Sequence, residues 1–251
     1  MPWLIGATLL THIFLDLVTS FGTMILAPFS DMRASLDLLF IIDPIFSALL
    51  LLPLLMMPLL KKHARKLGIA SLLLMGIYLT TTFIFHEKAV ALARQHHPAA
   101  GHVYALPQPF TPFSWMLIAS YPLKESRTVI DFFPAFSGTA PLFSESLVHQ
   151  FAYDHPSSEV QWQELPAMRG LKDVSHLPGI AFYRWFARFP VLVEHNENYI
   201  EFTDLRFETM NMERPAFRLR IELGERPRAW LLWSKERKID LTESSAPSTG
   251  W

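Results

Sequence analysis

The sequence of 251 residues contains no cysteine. This absence excludes disulfide bonds, thiolate catalysis and sulfur-ligated metals, so any metal site must be built from histidine and carboxylate groups. Charged residues are also few, because they make up 18% of the chain against roughly 25% in ordinary soluble proteins. Hydrophobic residues make up 51%, and the net charge of −1 gives no basis for binding nucleic acid. The composition therefore indicates a chain that is partly embedded in a membrane.

Three apolar segments are long enough to cross a hydrocarbon core about 30 Å thick, which takes roughly 20 helical residues. They are Trp3 to Leu26, Leu38 to Leu60 and Leu67 to Phe85, and we therefore predict three transmembrane helices within residues 1–86. The loop at 61–66 reads KKHARK, and a basic loop of this kind is cytoplasmic by the positive-inside rule. This orientation predicts that everything after the third segment lies outside the cytoplasm.

The sequence beyond the third segment predicts an extracytoplasmic α+β domain with an antiparallel sheet at residues 113–242. Apolar and polar residues alternate in several runs, as is typical of strands with one buried face. We predict residues 87–112, which contain four prolines, as a linker, and residues 243–251 as a disordered tail. A helix is expected from about Ser175 to Phe189. The candidate strands are 115–120, 191–194 and 199–203 around a turn at 195–198, 217–223 and 229–233.

Two ionisable residues, His12 and Asp16, interrupt the first apolar segment. An aspartate in the middle of a membrane helix costs roughly 2.5–3.5 kcal/mol, so its presence requires a compensating interaction. Residues four positions apart lie on the same helix face, and imidazole and carboxylate together suit zinc or a similar divalent ion. We therefore take His12 and Asp16 as candidate metal ligands. The alternative is a hydrogen-bonded pair that holds packed helices together.

Three further residues fall at the outer membrane boundary that this topology predicts. Asp31 and Asp43 are candidate catalytic carboxylates, and Arg33 is a candidate for binding an anionic group of the substrate. They approach Asp16 only if the chain at 19–23 is not helical or the loop dips into the membrane, and glycine at position 22 permits a break in the helix. The alternatives are a loop ion pair or a helix cap for Asp31 and Arg33, and a helix cap for Asp43.

Four segments in this order resemble the bacterial inner-membrane family of membrane-bound, metal-dependent hydrolases, the YdjM-like group. They are 12–16, 19–23, 27–33 and 40–44. Residues 112–115 and the region from Phe189-Pro190 through Asp204-Leu205-Arg206-Phe207 resemble the carboxy-terminal part of the same family.

The resemblance implies an inner-membrane hydrolase with a divalent metal ion close to the membrane. Family members carry a further membrane segment before the His-x-x-x-Asp helix, with a Pro-Asp-x-Asp and a His-Arg-x-x-Thr-His-Ser element, and neither element is present here. Either the sequence begins at an internal start or part of the metal centre has been lost.

These observations lead to two expectations of function. The leading one is a metal-dependent hydrolase in which His12 and Asp16 bind a divalent ion and thereby lower the pKa of a bound water to about 7. Asp31, Arg33 and Asp43 would complete the site, and its depth suggests a lipid or a lipid-linked ester or phosphoester as substrate. The alternative is a non-enzymatic inner-membrane protein whose periplasmic domain binds an envelope partner. In both cases we expect the protein to contact membrane lipids and not to bind nucleic acid.

Overall fold

The computed structural model describes residues 2–30, 32–109, 111–133, 160–171, 174–208, 216–233 and 237–243. Helices at the amino terminus are followed by antiparallel strands, as predicted. The helices are α1 (Pro2–Val18), α2 (Pro44–Met56), α3 (Ala64–His96) and α4 (Ile180–Phe186). The strands are β1 (His102–Pro107), β2 (Ser114–Ser120), β3 (Lys124–Asp131), β4 (Gln163–Pro166), β5 (Pro190–His195), β6 (Tyr199–Asp204), β7 (Arg218–Glu222), β8 (Arg228–Leu232) and β9 (Lys238–Asp240).

The first helix ends eight residues before the predicted end of the first apolar segment. Its last carbonyl groups, on Leu17 and Val18, accept hydrogen bonds from the backbone amides of Leu36 and Leu38 at 2.8 and 2.9 Å. A helix end needs such partners, because its final carbonyls have none within the helix. The chain then turns at Gly22, whose φ is 73°. The break that glycine permits is therefore present, and the loop to α2 folds back onto the end of α1.

The second helix begins with a side-chain cap. The Asp43 carboxylate accepts the backbone N–H of Phe46 at 2.8 Å, and Pro44 occupies the first helical position, where proline is well tolerated. The Tyr78 hydroxyl donates to the other carboxylate oxygen at 2.7 Å and so joins α2 to α3. The helix cap considered for Asp43 is confirmed.

The prediction of three transmembrane helices is not confirmed. Within the described ranges, only the helical stretch Lys61–His96 is long and apolar enough to cross a membrane, and α1 and α2 are shorter apolar helices. The 17 residues of α1 and the 13 of α2 extend about 26 and 20 Å at 1.5 Å per residue. The difference arises because hydrogen bonds from the loop end α1 early, while the cap at Asp43 starts α2 late.

The third helix continues into the region for which we predicted a linker. Residues 87–112 contain the last turns of α3 and all of β1, whereas the domain boundaries themselves stay predictions. Ala89 and Ala93 of α3 are fully buried and pack against Trp115 and Leu117 of β2. Small alanine side chains allow the helix to lie close to the strands, so α3 and the first sheet form one packed unit.

The strands form two antiparallel sheets where we predicted one. The first sheet has the order β1-β2-β3-β4, and the second has the order β5-β6-β7-β8-β9. Alternation along β2 sends Trp115 and Leu117 towards α3 and sends Met116 and Ile118 towards Phe189 and its neighbours beside the second sheet. The first sheet is therefore covered on both faces. The predicted strands and the turn at 195–198 are confirmed.

The predicted helix at 175–189 is shorter in the structure, where α4 spans Ile180–Phe186. It begins after Gly179, which has a φ of 72° and leaves no space for a larger residue, because a Cβ there would lie 2.8 Å from that of Ala229. After the helix, the Asp204 carboxylate binds the backbone N–H of Arg188 at 2.9 Å. This bond draws the chain away from helical geometry. Of the predicted tail, only residue 243 lies among the described residues.

Exposed apolar side chains are concentrated in the helical region. All but five of the large hydrophobic residues that are exposed in the described structure lie before residue 85. Soluble proteins rarely present apolar surface on this scale. The distribution indicates that the helices, and not the sheets, face an apolar environment.

Candidate functional site

His12 and Asp16 lie together on the surface of α1. His12 Nε2 is 3.5 Å from Asp16 Oδ2, and the two side chains are 71% and 50% exposed. The predicted i, i+4 contact is therefore present. In the described part of the chain, no third histidine, aspartate or glutamate joins them in a group that could hold a metal ion. Two donors fall short of the three or four that zinc takes from protein.

The structure does not bring Asp43 to this pair. Asp43 is only 8% exposed, and both of its oxygens are engaged by Phe46 and Tyr78. It lies at an apolar pocket of about 250 Å³ between the end of α1 and the start of α2. Asp31 lies outside the described residues. The observed role of Asp43 is to begin one helix and to join it to another.

Arg33 contacts a helix far along the chain, and the sequence did not indicate this contact. Its guanidinium carbon sits 4.7 Å from the ring centre of Trp185, on α4. Both residues line a cleft of about 230 Å³ between the loop that follows α1 and the chain around α4. We call this the arginine cleft. Its lining residues are Phe21, Gly22, Arg33, Ser35, Trp185, Phe186, Ala187, Arg188 and Arg206.

Asp204, at the end of β6, organises one wall of the arginine cleft. Its carboxylate is fully buried and accepts the backbone N–H groups of Arg188 at 2.9 Å and of Arg206 at 3.1 Å. It also accepts Nε of the Arg206 guanidinium at 2.8 Å, while that guanidinium donates to the carbonyl of Phe186 at 3.0 Å. A buried carboxylate is tolerated only when its oxygens are satisfied in this way. Asp204 therefore fixes the positions of both arginines.

Arg188 joins the cleft to the loop before α2. Its guanidinium donates to both oxygens of Asp37 at 2.7 and 2.9 Å and to the hydroxyl of Ser35 at 2.9 Å. Asp37 is buried and has a φ of 54°, a conformation that costs energy in a residue with a side chain. Two-point pairs between arginine and carboxylate are geometrically specific. The contact therefore holds the loop before α2 in a fixed position against the strand-rich chain from His102 onward, which we call the β region.

The charges of the arginine cleft do not cancel. Asp204 pairs with Arg206 and Asp37 pairs with Arg188, whereas no carboxylate of the described residues pairs with Arg33. Burial by its surroundings, followed by repulsion from Arg206, lowers the pKa of Arg33 below its usual value. A lowered pKa means that the positive charge is less well solvated here than in water. An anion in the cleft would relieve this cost.

Comparison with known proteins bears on the helical region. Residues 1–89 match the model of a protein family described as YdjM inner membrane protein. This match confirms the resemblance drawn from the segments between 12 and 44, and it supports an inner-membrane location. Curated proteins and solved structures gave no match. The family match ends before 112–115 and 189–207, so the resemblance of those two segments stays a prediction.

Sequence reasoning found one of the three arginines of the cleft. Arg188 and Arg206 were not among the candidate site residues, although Arg206 lies in a segment quoted for the family resemblance. The pattern Asp204-Leu205-Arg206 at the end of a predicted strand was the available signal, because a charged pair directly after an apolar strand indicates a role beyond packing. Nothing local to the sequence marked Arg188 as the partner of Asp37.

Proposed function

We propose that the protein is a multi-pass inner-membrane protein that holds a periplasmic α+β region against the outer surface of the inner membrane. There this region binds an envelope component. Residues 1–86 would form three membrane segments, with the loop at 61–66 in the cytoplasm. The apolar surface exposed before residue 85 supports this arrangement. The YdjM match over residues 1–89 supports the inner membrane as its location.

The observation that carries this proposal is the unbroken course of α3. Its 33 residues extend about 50 Å at 1.5 Å per residue, well beyond a hydrocarbon core about 30 Å thick. The excess turns carry Ala89 and Ala93 onto the first sheet, while Asp37 and Arg188 provide a second connection. Two connections without a flexible linker keep the β region at a constant distance from the membrane. A protein built in this way can present a binding surface at the level of the lipid headgroups.

The topology can be measured with reporter fusions. We expect alkaline phosphatase to be inactive when it is fused after Lys66 and active when it is fused after His102, because the basic loop stays in the cytoplasm and α3 then crosses the membrane. Green fluorescent protein at the same two positions should give the reverse result. An inactive phosphatase at His102 together with a fluorescent fusion there would place the β region in the cytoplasm and contradict the proposal.

A second candidate function is metal-dependent hydrolysis of a lipid or lipid-linked ester or phosphoester. The His12–Asp16 contact on an apolar helix favours it, since polar pairs inside a membrane are often functional. In this mechanism His12 and Asp16 would contribute two ligands to a divalent ion, which would supply an activated water and polarisation of the scissile group. Arg33 would bind the anionic part of the substrate. Asp43 would act only by positioning α2, because its oxygens are already occupied.

Metal content distinguishes the two candidates. If the pair ligates an ion, purified wild-type protein should retain zinc, and His12→Ala and Asp16→Ala should each remove it, because each change deletes a ligand. His102→Ala provides a matched control, since His102 is an exposed histidine on β1. Zinc measured by inductively coupled plasma mass spectrometry at the same level in all four proteins would reject the hydrolase and leave the pair as a contact between helices.

A further inference from the structure

The arginine cleft has the size and the charge of a site for a small anionic group. Its volume of about 230 Å³ is below the roughly 300–1,000 Å³ of pockets that enclose drug-sized ligands. Three guanidinium groups line it, against the two carboxylates that pair with Arg188 and Arg206. One positive charge, on Arg33, is therefore left without a partner among the residues described.

Arg33 is held so that its donors remain available. The guanidinium lies over the Trp185 ring, and this contact uses the face of the group and not its N–H bonds. Its surroundings bury part of the guanidinium, but Arg33 keeps solvent-exposed surface and makes no hydrogen bond to another described residue. A planar guanidinium with free donors can bind two oxygens of a phosphate group at once. Arg33 therefore resembles a prepared anchor more than a structural residue.

Gly22 lies directly beside Arg33 and leaves space for its side chain. Gly22 lines the cleft and has a φ of 73°. A Cβ at position 22 would lie 3.2 Å from the Cβ of Arg33 and 3.2 Å from the carbonyl oxygen of Ala34. A larger residue at this position would press on the Arg33 side chain. Glycine at position 22 therefore permits the turn and leaves space beside Arg33.

The residues just before Arg33 indicate where the ligand comes from. Met24, Ile25, Leu26 and Phe29 are all exposed, and Phe29 is 94% exposed. Apolar side chains next to an arginine and a tryptophan are typical of the boundary between acyl chains and headgroups. A molecule that placed a phosphate in the cleft could lay an apolar chain along these residues.

We infer that the arginine cleft binds the phosphate group of an anionic lipid at the outer surface of the inner membrane, with Arg33 as its principal anchor. The inference rests on the proposed function, because that function places the cleft at headgroup level. It names the envelope component as a phosphate-bearing lipid. Free phosphate offers the same chemistry, so the experiment must separate the two sources.

The test compares full-length protein in nanodiscs of phosphatidylcholine with and without phosphatidylglycerol. We expect native mass spectrometry to detect retained phosphatidylglycerol in the wild type and at least tenfold less in Arg33→Gln, because a charged two-point contact is lost. Arg184→Gln is the matched control, since Arg184 is exposed on the same helix as Trp185 but does not line the cleft. Arg33→Lys should recover part of the binding, because it restores the charge but not the planar fork.

Inorganic phosphate distinguishes the source of the ligand. If the cleft is specific for lipid, added phosphate should not displace phosphatidylglycerol from the wild type, whereas full displacement would overturn the lipid assignment. Equal lipid retention in Arg33→Gln and Arg184→Gln, with unchanged thermal unfolding of both, would overturn the site itself. That result is independent of the topology, because the reporter fusions do not depend on Arg33. Conversely, the reporter fusions could place the β region in the cytoplasm while Arg33→Gln still reduces lipid retention. This result would reject the proposed function and leave the anion site standing.

Discussion

Asp204→Ala is expected to destabilise the folded protein by about 3–5 kcal/mol, the cost of removing one partner of a buried charge pair. The change leaves the guanidinium of Arg206 buried without its carboxylate. It also removes the acceptor for the backbone N–H groups of Arg188, Phe189 and Arg206. Each buried donor left unsatisfied adds to the cost. Denaturant unfolding in detergent, followed by tryptophan fluorescence, measures the effect.

The matched control is Asp240→Ala. Asp240 also pairs with an arginine, Arg228, at 3.0 Å, but both side chains are about half exposed. Exposed pairs contribute little to stability, so the control should unfold almost as the wild type does. If both variants unfolded at the same denaturant concentration, Asp204 would not organise the wall of the arginine cleft. Asp204→Ala should also weaken lipid retention, because Arg188 and Arg206 lose their fixed positions.

The strands of the second sheet could be predicted from the sequence because their signal is local. In β7, Leu219 and Ile221 are fully buried while Arg218 and Arg220 point to the other face and pair with Glu201. This alternation needs no knowledge of the partner strand. The cap at Asp43 was visible for the same reason, since the aspartate, the proline and the bonded amide are all within four residues.

The ends of the helices and the arrangement of the site depend on residues far apart in the chain. The end of α1 is set by amides about twenty residues later, on Leu36 and Leu38. Trp185, which stacks on Arg33, lies in another part of the fold. No periodicity connects such residues, so the sequence indicated the chemistry of Arg33 but not its contact with Trp185. The pair of His12 and Asp16 shows the opposite case, because the two residues are close in sequence and their contact was predicted.

The contact between α3 and the first sheet also explains why this sheet does not form a complete core by itself. One of its faces includes Val103, Trp115 and Leu117, which are buried in one cluster with Ala89 and Ala93 of α3. Removing the helix would expose this face to water at a cost of about 25 cal/mol per Å² of apolar surface. The last turns of α3 therefore belong to the core of the β region, although they continue a helical stretch that is long and apolar enough to cross a membrane.

This dependence predicts opposite behaviour for two fragments that lack α1 and α2 and differ only in where they begin. A fragment of residues 102–243 is expected to aggregate or to bind a hydrophobic dye, because the face that includes Trp115 is uncovered. A fragment of residues 86–243 should remain soluble and unfold cooperatively, because Ala89 and Ala93 again cover that face. Circular dichroism and thermal unfolding of the two fragments measure the difference. A cooperative transition at the same temperature in both would show that α3 does not stabilise the β region, and the position of this region relative to the helices would then depend on the contact between Asp37 and Arg188.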